Sequence, residues 1–350
     1  MKNFILKLFI GLFIILLINS FALYAQSNEL LGAGATFPYP LYSKMFSEYS
    51  KAKGIKINYQ AIGSGGGINQ LLGKTVVFAG TDAYLTNDEL KKAQAEIIHI
   101  PTCIGAVVIT YNLPDIKKPI RLTSDIIADI FLGNIKKWND PKIQVENKDI
   151  KLPELTISIV HRSDGSGTTF VFSDYLTKTD AEWKEKVGAG KELNWPAGLG
   201  GKGNPGVAGL ITQVKGSIGY VELLFALENK LQSAEIKNKS GNYISPTLES
   251  AKLSSQISIP DDTRVTITDT DSKNGYPISS FTWIILYKEL NKTTKDENKA
   301  KILINLLWWM IHEGQVYAEQ LNYAKLPKEA VIKAENLLKG ITFNGNKILK

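Results

Sequence analysis

Short β-rich runs alternate with amphipathic stretches along most of this chain, and that alternation restricts it to an α/β architecture. "KINYQAI", "VVFAG", "GAVVITYN" and "TISIVH" read as strands, whereas "YPLYSKMFSEYSKAK" and "TSDIIADIFLG" carry apolar residues at helical spacing. "GSIGYV" and "TWIILYK" continue the strand-rich text. From about Lys295 to Gly340 the pattern is helical, including "AKILINLLWWMIHEGQVYAEQL" and "PKEAVIKAENLLKG", with Trp308 and Trp309 as packing residues. The polar stretch "NKSGNYISPTLESAKLSSQISIPDD" reads as loops. Proline-marked extended segments at "HIPTCIGAV" and "NGYPISSFTW" are points where the chain crosses between two lobes. Two crossings make one lobe discontinuous.

The first segment, "MKNFILKLFIGLFIILLINSFALYA", sets Lys2 and Lys7 around a long apolar run and ends in the small residue Ala25. It predicts a secretory signal peptide over residues 1–25, in preference to an uncleaved membrane anchor. Because that segment holds two lysines and no acid, its removal lowers the formal net charge from +7 to +5. The lone Cys103 excludes an internal disulfide, so an exported chain must rest on its core, which a hydrophobic fraction of 44% permits. No cysteine follows the apolar run, which argues against a lipid anchor and for the periplasm of a double-membraned bacterium. The mildly basic balance suits an anionic ligand, and no arginine-rich or aromatic-interleaved stretch points to nucleic acid.

Three stretches share one device, a small-residue turn that opens a helix and leaves its first N–H groups free for an anion. In "GAGATFPYP", Thr36 is the expected N-cap and Pro38 a tolerated first-turn residue, so the N–H groups of Thr36 and Phe37 face a ligand. In "IGSGGGINQLL", Ser64 is followed by Gly65, Gly66 and Gly67, which let backbone approach an oxyanion. A P-loop is excluded there, because Gly67 is followed by Ile68 and Asn69 instead of Lys-Ser/Thr. In "IVHRSDGSGTTFVF", a strand, a turn with Arg162 and Asp164, and a helix from Thr168 follow in order. An arginine bonds two anion oxygens at once and an aspartate holds its guanidinium. A further carboxylate, Asp82, ends the strand-like "FAGTDAYL".

Catalysis is not expected. Ser166 would need a base, and His99, His161 and His312 sit in no triad or elbow pattern; "GSG" is not G-x-S-x-G. On a strand His161 points away from the face that Arg162 uses. No paired-histidine, H-E-x-x-H or clustered-carboxylate spacing suggests a metal, and no cofactor motif is present.

Together these motifs resemble the periplasmic phosphate-binding proteins of bacterial high-affinity phosphate ABC transporters. The resemblance covers nearly the whole exported chain, through "GAGATFPYPLY", "INYQAIGSGGG", "FAGTDAYL", "IFLGNIKKWND", "VHRSDGSGTTFVFSDYL", "WPAGLGGKGNPGVAG", "GSIGYVE" and "YPISSFTWIIL". It implies a two-lobed, hinged α/β binding-protein fold of type II with the ligand in the cleft. Residues 26–103 and 278–350 then form one lobe and 104–277 the other. It implies that Thr36, through its hydroxyl and N–H, the Phe37 N–H and Ser64 bind phosphate oxygens while Asp82 accepts the phosphate proton. From the other lobe, Arg162 binds the anion and pairs with Asp164, and Ser166, Gly167 and Thr168 donate at the helix start. Inorganic phosphate and membrane permease subunits are the implied partners of a monomeric, non-catalytic receptor that needs no cofactor.

The chain departs from the family pattern in "VVFAG", in Thr81 before the aspartate, and in Gly65, where a second serine is frequent. The logic of Asp82 stands apart from the family: near neutral pH phosphate always carries an O–H and sulfate carries none. A buried acceptor is satisfied by the first and repelled by the second, which is worth about 10⁴-fold in discrimination. A receptor for another tetrahedral oxyanion, a Ser166-dependent phosphate-releasing hydrolase and a surface adhesion or scaffold protein are the competing readings.

Overall fold

The computed structural model describes residues 29–349, so the expected signal peptide lies outside the described residues. The first half is a run of parallel strand-helix units: β1 (Glu29–Gly34), α1 (Tyr39–Lys53), β2 (Lys56–Ala61), α2 (Ser64–Leu72), β3 (Phe78–Thr81) and α3 (Asn87–Ala93). The strand β1 pairs in parallel with both β2 and β3. Helix α1 buries Leu41, Tyr42, Met45, Phe46 and Tyr49, a stripe of helical period, and stops at Gly54, which takes the left-handed φ of 65°.

Two long strands then tie the molecule together. The strand β4 (Ile97–Tyr111) is buried at every position. Its first part, Ile97 to Ala106, pairs antiparallel with a late strand, and its last part, Val107 to Tyr111, pairs with a different one. The second half contributes β5 (Ser158–Arg162), α4 (Gly167–Thr179), β6 (Leu199–Gly201), α5 (Gly203–Gln213) and β7 (Ser217–Glu222), with β5 parallel to β6 and β7. The chain returns through β8 (Ile278–Tyr287) and ends in α6 (Glu297–Ile311) and α7 (Lys328–Lys339). The order across the sheet is β2-β1-β3-β8-β4-β7-β5-β6. Continuous burial along β4 and β8 explains why they read as unbroken apolar runs instead of alternating ones.

The polar stretch 238–262 is not all loop: it contains a short strand, Tyr243–Ile244, and a helix, Leu248–Ser254. Thr247 and Ser250 close a capping box there, a local start signal that outweighs the polar composition. The carboxy-terminal helical text is broken between Ile311 and Lys328 by short 3₁₀ turns. In that break Gln315 donates from its amide to the carbonyls of Thr102 on β4 and Met310 on α6, which ties the segment to both the sheet and the preceding helix. Among the described residues no helix is long and apolar enough to cross a membrane.

Candidate functional site

The three turn-to-helix junctions meet where the two halves of the molecule touch. Thr36 and Phe37 follow β1, Ser64 opens α2, and Gly167 and Thr168 open α4. Among the described residues, the N–H groups of Thr36, Phe37, Gly167 and Thr168 have no hydrogen-bond acceptor. They are buried donors with nowhere to go inside the protein, an arrangement that calls for an acceptor from outside.

Thr36 does not cap its helix. Pro38 occupies the N-cap of α1 and no side chain bonds the first turn. The Thr36 hydroxyl is instead engaged from the opposite half, where the Asn204 N–H and side-chain amide donate to its Oγ1 at 3.1 and 3.0 Å. Gly65, after Ser64, also makes a direct contact between the two halves. The Gly65 N–H donates to the carbonyl of Gly165 at 2.8 Å across the junction, and a Cβ on Gly65 would lie 3.0 Å from the Gly165 Cα. The absent side chain gives the other half of the protein close access.

Arg162 ends β5 and is only 3% exposed. Its Nε and Nη2 donate to the two Asp164 oxygens at 2.8 and 2.6 Å, and Nη1 reaches Thr168 Oγ1 at 3.3 Å. Asp164 also accepts from the Gly203 N–H at 2.9 Å. Burial pushes the Asp164 carboxyl up, but the Arg162 hydrogen bonds and charge, with the Gly203 N–H, more than reverse this and leave it below the usual range. The guanidinium is thus fixed in place before any ligand arrives.

Ser166 is the N-cap of α4: its Oγ accepts from the Thr169 N–H at 3.0 Å, while its own N–H donates to the Lys191 carbonyl at 2.9 Å. What Ser166 has left to offer is its hydroxyl proton and one lone pair. Among the described residues, the three histidines are engaged elsewhere. The ring of His161 stacks on Trp195 at 4.5 Å and its Nδ1 contacts the Arg162 carbonyl. His99 is buried and accepts from the Leu85 N–H, and His312 bonds Glu335. No group of three or more His, Cys, Asp or Glu among the described residues is arranged to hold a metal.

Asp82 is 2% exposed at the end of β3. Its Oδ1 accepts from the Thr282 hydroxyl at 3.0 Å, and its N–H donates to Ser64 Oγ at 3.3 Å. The register shift between Thr282 and Trp283 on β8 marks the point where a strand side chain is re-aimed toward this carboxyl. Burial pushes the Asp82 carboxyl up to about 7, against the Thr282 hydrogen bond, the Arg162 charge and Ser64. A Cβ on Gly167 would fall 2.5 Å from both Asp82 Oδ2 and Ser64 Oγ, so elements of the two halves face each other directly. The whole predicted set therefore comes together: Thr36, Phe37, Ser64 and Asp82 on one side, Arg162, Asp164, Ser166, Gly167 and Thr168 on the other.

A family model described as a PBP superfamily domain matches residues 22–311. The chain is 44% identical over 314 residues to the phosphate-binding protein PstS of Xylella fastidiosa (strain Temecula1), covering 89% of this chain and 85% of that one. It is 41% identical over 324 residues to PstS of Pasteurella multocida, covering 91% and 92%. The chain belongs to the PstS phosphate-binding protein family. The fold agrees: a crystal structure of a phosphate-binding protein from Stenotrophomonas maltophilia superposes with a TM-score of 0.69 at 17% identity, covering 88% of this chain and 93% of that one. This PstS-family chain has the two-lobed α/β binding-protein fold.

Two residues of this PstS-family site carry no role on sequence grounds alone. Asn204 lies inside the family stretch "GKGNPG", and Thr282 inside "ISSFTW". The signal available for Asn204 is its place at the start of a glycine-opened helix, α5, beside the Arg162 turn. Lys191 and Glu89 add an ion pair of 2.8 Å between the halves, largely shielded from solvent.

Proposed function

We propose that this chain captures inorganic phosphate between its lobes and delivers it to the permease of an ABC transporter in the inner membrane. One observation carries the reading: unpaired N–H groups and hydroxyls from both lobes and a pre-fixed guanidinium surround the buried carboxyl of Asp82. Such a set supplies donors to most of the ligand's oxygens and one acceptor for its O–H. Thr36, Phe37, Ser64, Arg162, Ser166, Gly167 and Thr168 are the donors, Asp82 the acceptor, and Asp164 the clamp on Arg162. The protein works as a monomer in the periplasm, with residues 1–25 removed on export. Residues 26–103 and 278–350 form one lobe and 104–277 the other, joined through β4 and β8. Binding without turnover is supported by Ser166, whose oxygen is engaged as a helix cap.

Titration calorimetry with phosphate and sulfate tests this reading. Phosphate is expected to bind with sulfate excluded by about 10⁴-fold; comparable affinities would end the role given to Asp82. A second test uses Gly167→Ala, whose methyl group collides with Asp82 and Ser64 when the lobes approach. Displacement of preorganised groups by about 1 Å costs on the order of 100-fold, so phosphate affinity should fall by about that factor. An unchanged dissociation constant would mean that the lobes do not come this close around the ligand.

A further inference from the structure

Asn204 is fully buried at the start of α5, and every polar atom it carries is committed. Its Oδ1 accepts from the Glu222 N–H at 3.0 Å. A backbone N–H only donates, so this bond settles which way the amide faces: the Nδ2 hydrogens point into the site. There Nδ2 donates to Thr36 Oγ1 at 3.0 Å and to Thr168 Oγ1 at 3.2 Å, one hydroxyl from each lobe. Each hydroxyl oxygen also accepts a second bond. Thr36 Oγ1 takes the Asn204 N–H at 3.1 Å, and Thr168 Oγ1 takes Arg162 Nη1 at 3.3 Å.

A threonine hydroxyl has two lone pairs and one proton. With both lone pairs occupied, all that Thr36 and Thr168 can present to anything else is the O–H. We infer that Asn204 is a specificity-determining positioning residue that makes the Thr36 and Thr168 hydroxyls obligate donors, so that both lobes refuse a ligand O–H there. The inference rests on the phosphate-binding reading and deepens it. With those two hydroxyls closed as acceptors, a ligand proton is directed toward the Asp82 carboxyl, and Asn204 thereby biases the orientation in which a protonated anion is held. It acts through the two hydroxyls and touches no reacting atom.

A double-mutant cycle with phosphate calorimetry at neutral pH tests this. A hydrogen bond to a charged group is worth about 10- to 150-fold. Asn204→Ala in the unmutated background should therefore weaken phosphate binding by at least about 10-fold, as freed lone pairs let the hydroxyls turn away from the anion. In the Thr36→Val/Thr168→Val background the same substitution should cost less than about 3-fold, because there is no hydroxyl left to orient. Asn204→Ser, which keeps one donor, should fall between the unmutated protein and Asn204→Ala and covers the case that alanine impairs folding. Equal costs in both backgrounds, or no cost in the first, would overturn the inference while leaving phosphate binding in place. Failure of the unmutated protein to bind phosphate would overturn the functional reading itself, and this inference with it.

Discussion

Arg162→Ala will weaken phosphate binding by roughly 10²- to 10⁴-fold, the combined worth of two charge-assisted hydrogen bonds at about 1.5–3 kcal/mol each. The guanidinium is buried and its orientation is set by two bonds to Asp164. Truncation also leaves the Asp164 carboxylate without its cation. Breaking a buried pair costs about 3–5 kcal/mol, and the 13% exposure of the Asp164 side chain puts the expected loss of stability at the lower end. That stabilisation has a definite pH window. Asp164 is held below the usual carboxylate range, so the contribution is full at neutral pH and is lost as pH falls below about 4. The difference in melting temperature between the unmutated protein and Arg162→Ala should therefore be largest near pH 7 and shrink in acid. Arg162→Lys, which keeps the charge but not the fork, should bind with intermediate affinity. Calorimetry returning an unchanged dissociation constant for Arg162→Ala would remove this turn from the site.

Asp82→Asn is expected to erase discrimination. The amide can donate where the ionised carboxylate only accepts, so at pH 8 sulfate loses its repulsive partner, and the expected preference of about 10⁴-fold for phosphate should fall to within about 100-fold. Stability will move the other way. Burial raises the Asp82 carboxyl to about 7 in the free protein. Its contribution is therefore complete below about pH 4 and is lost as pH rises through about 7. A displacement of about three pKa units corresponds to at most about 4 kcal/mol at pH 8. Asparagine does not titrate, so in phosphate-free buffer Asp82→Asn should melt higher than the unmutated protein at pH 8, with a gap that closes by pH 5. Continued exclusion of sulfate by Asp82→Asn would show that another group reads the phosphate proton.

Helix α1 spans the stretch whose apolar spacing marks it, because its stripe of Leu41, Tyr42, Met45, Phe46 and Tyr49 is both the sequence signal and the buried face. The strands β4 and β8 run far beyond the segments that read as strand, since a strand buried on both faces shows no alternation to mark its ends. The helix at Leu248–Ser254 escapes a reading based on polarity because its start depends on a two-residue capping box. Thr36 has a favourable N-cap identity, yet its hydroxyl belongs to Asn204, a partner 168 positions away. Local propensity cannot register a competitor at that separation.

The sequence by itself determined the α/β class, the three small-residue turns that lead into helices and the Arg162–Asp164 clamp. These are short-range properties, fixed by spacing, by hydrogen-bonding valence and by the chemistry of adjacent side chains. The tertiary structure alone decided that Gly65 is a contact with Gly165, that Thr282 bonds Asp82, and that Asn204 joins the hydroxyls of Thr36 and Thr168. Each of those joins residues far apart in the chain, and only the pairing of distant strands within a lobe or the contact between lobes brings them within hydrogen-bond range.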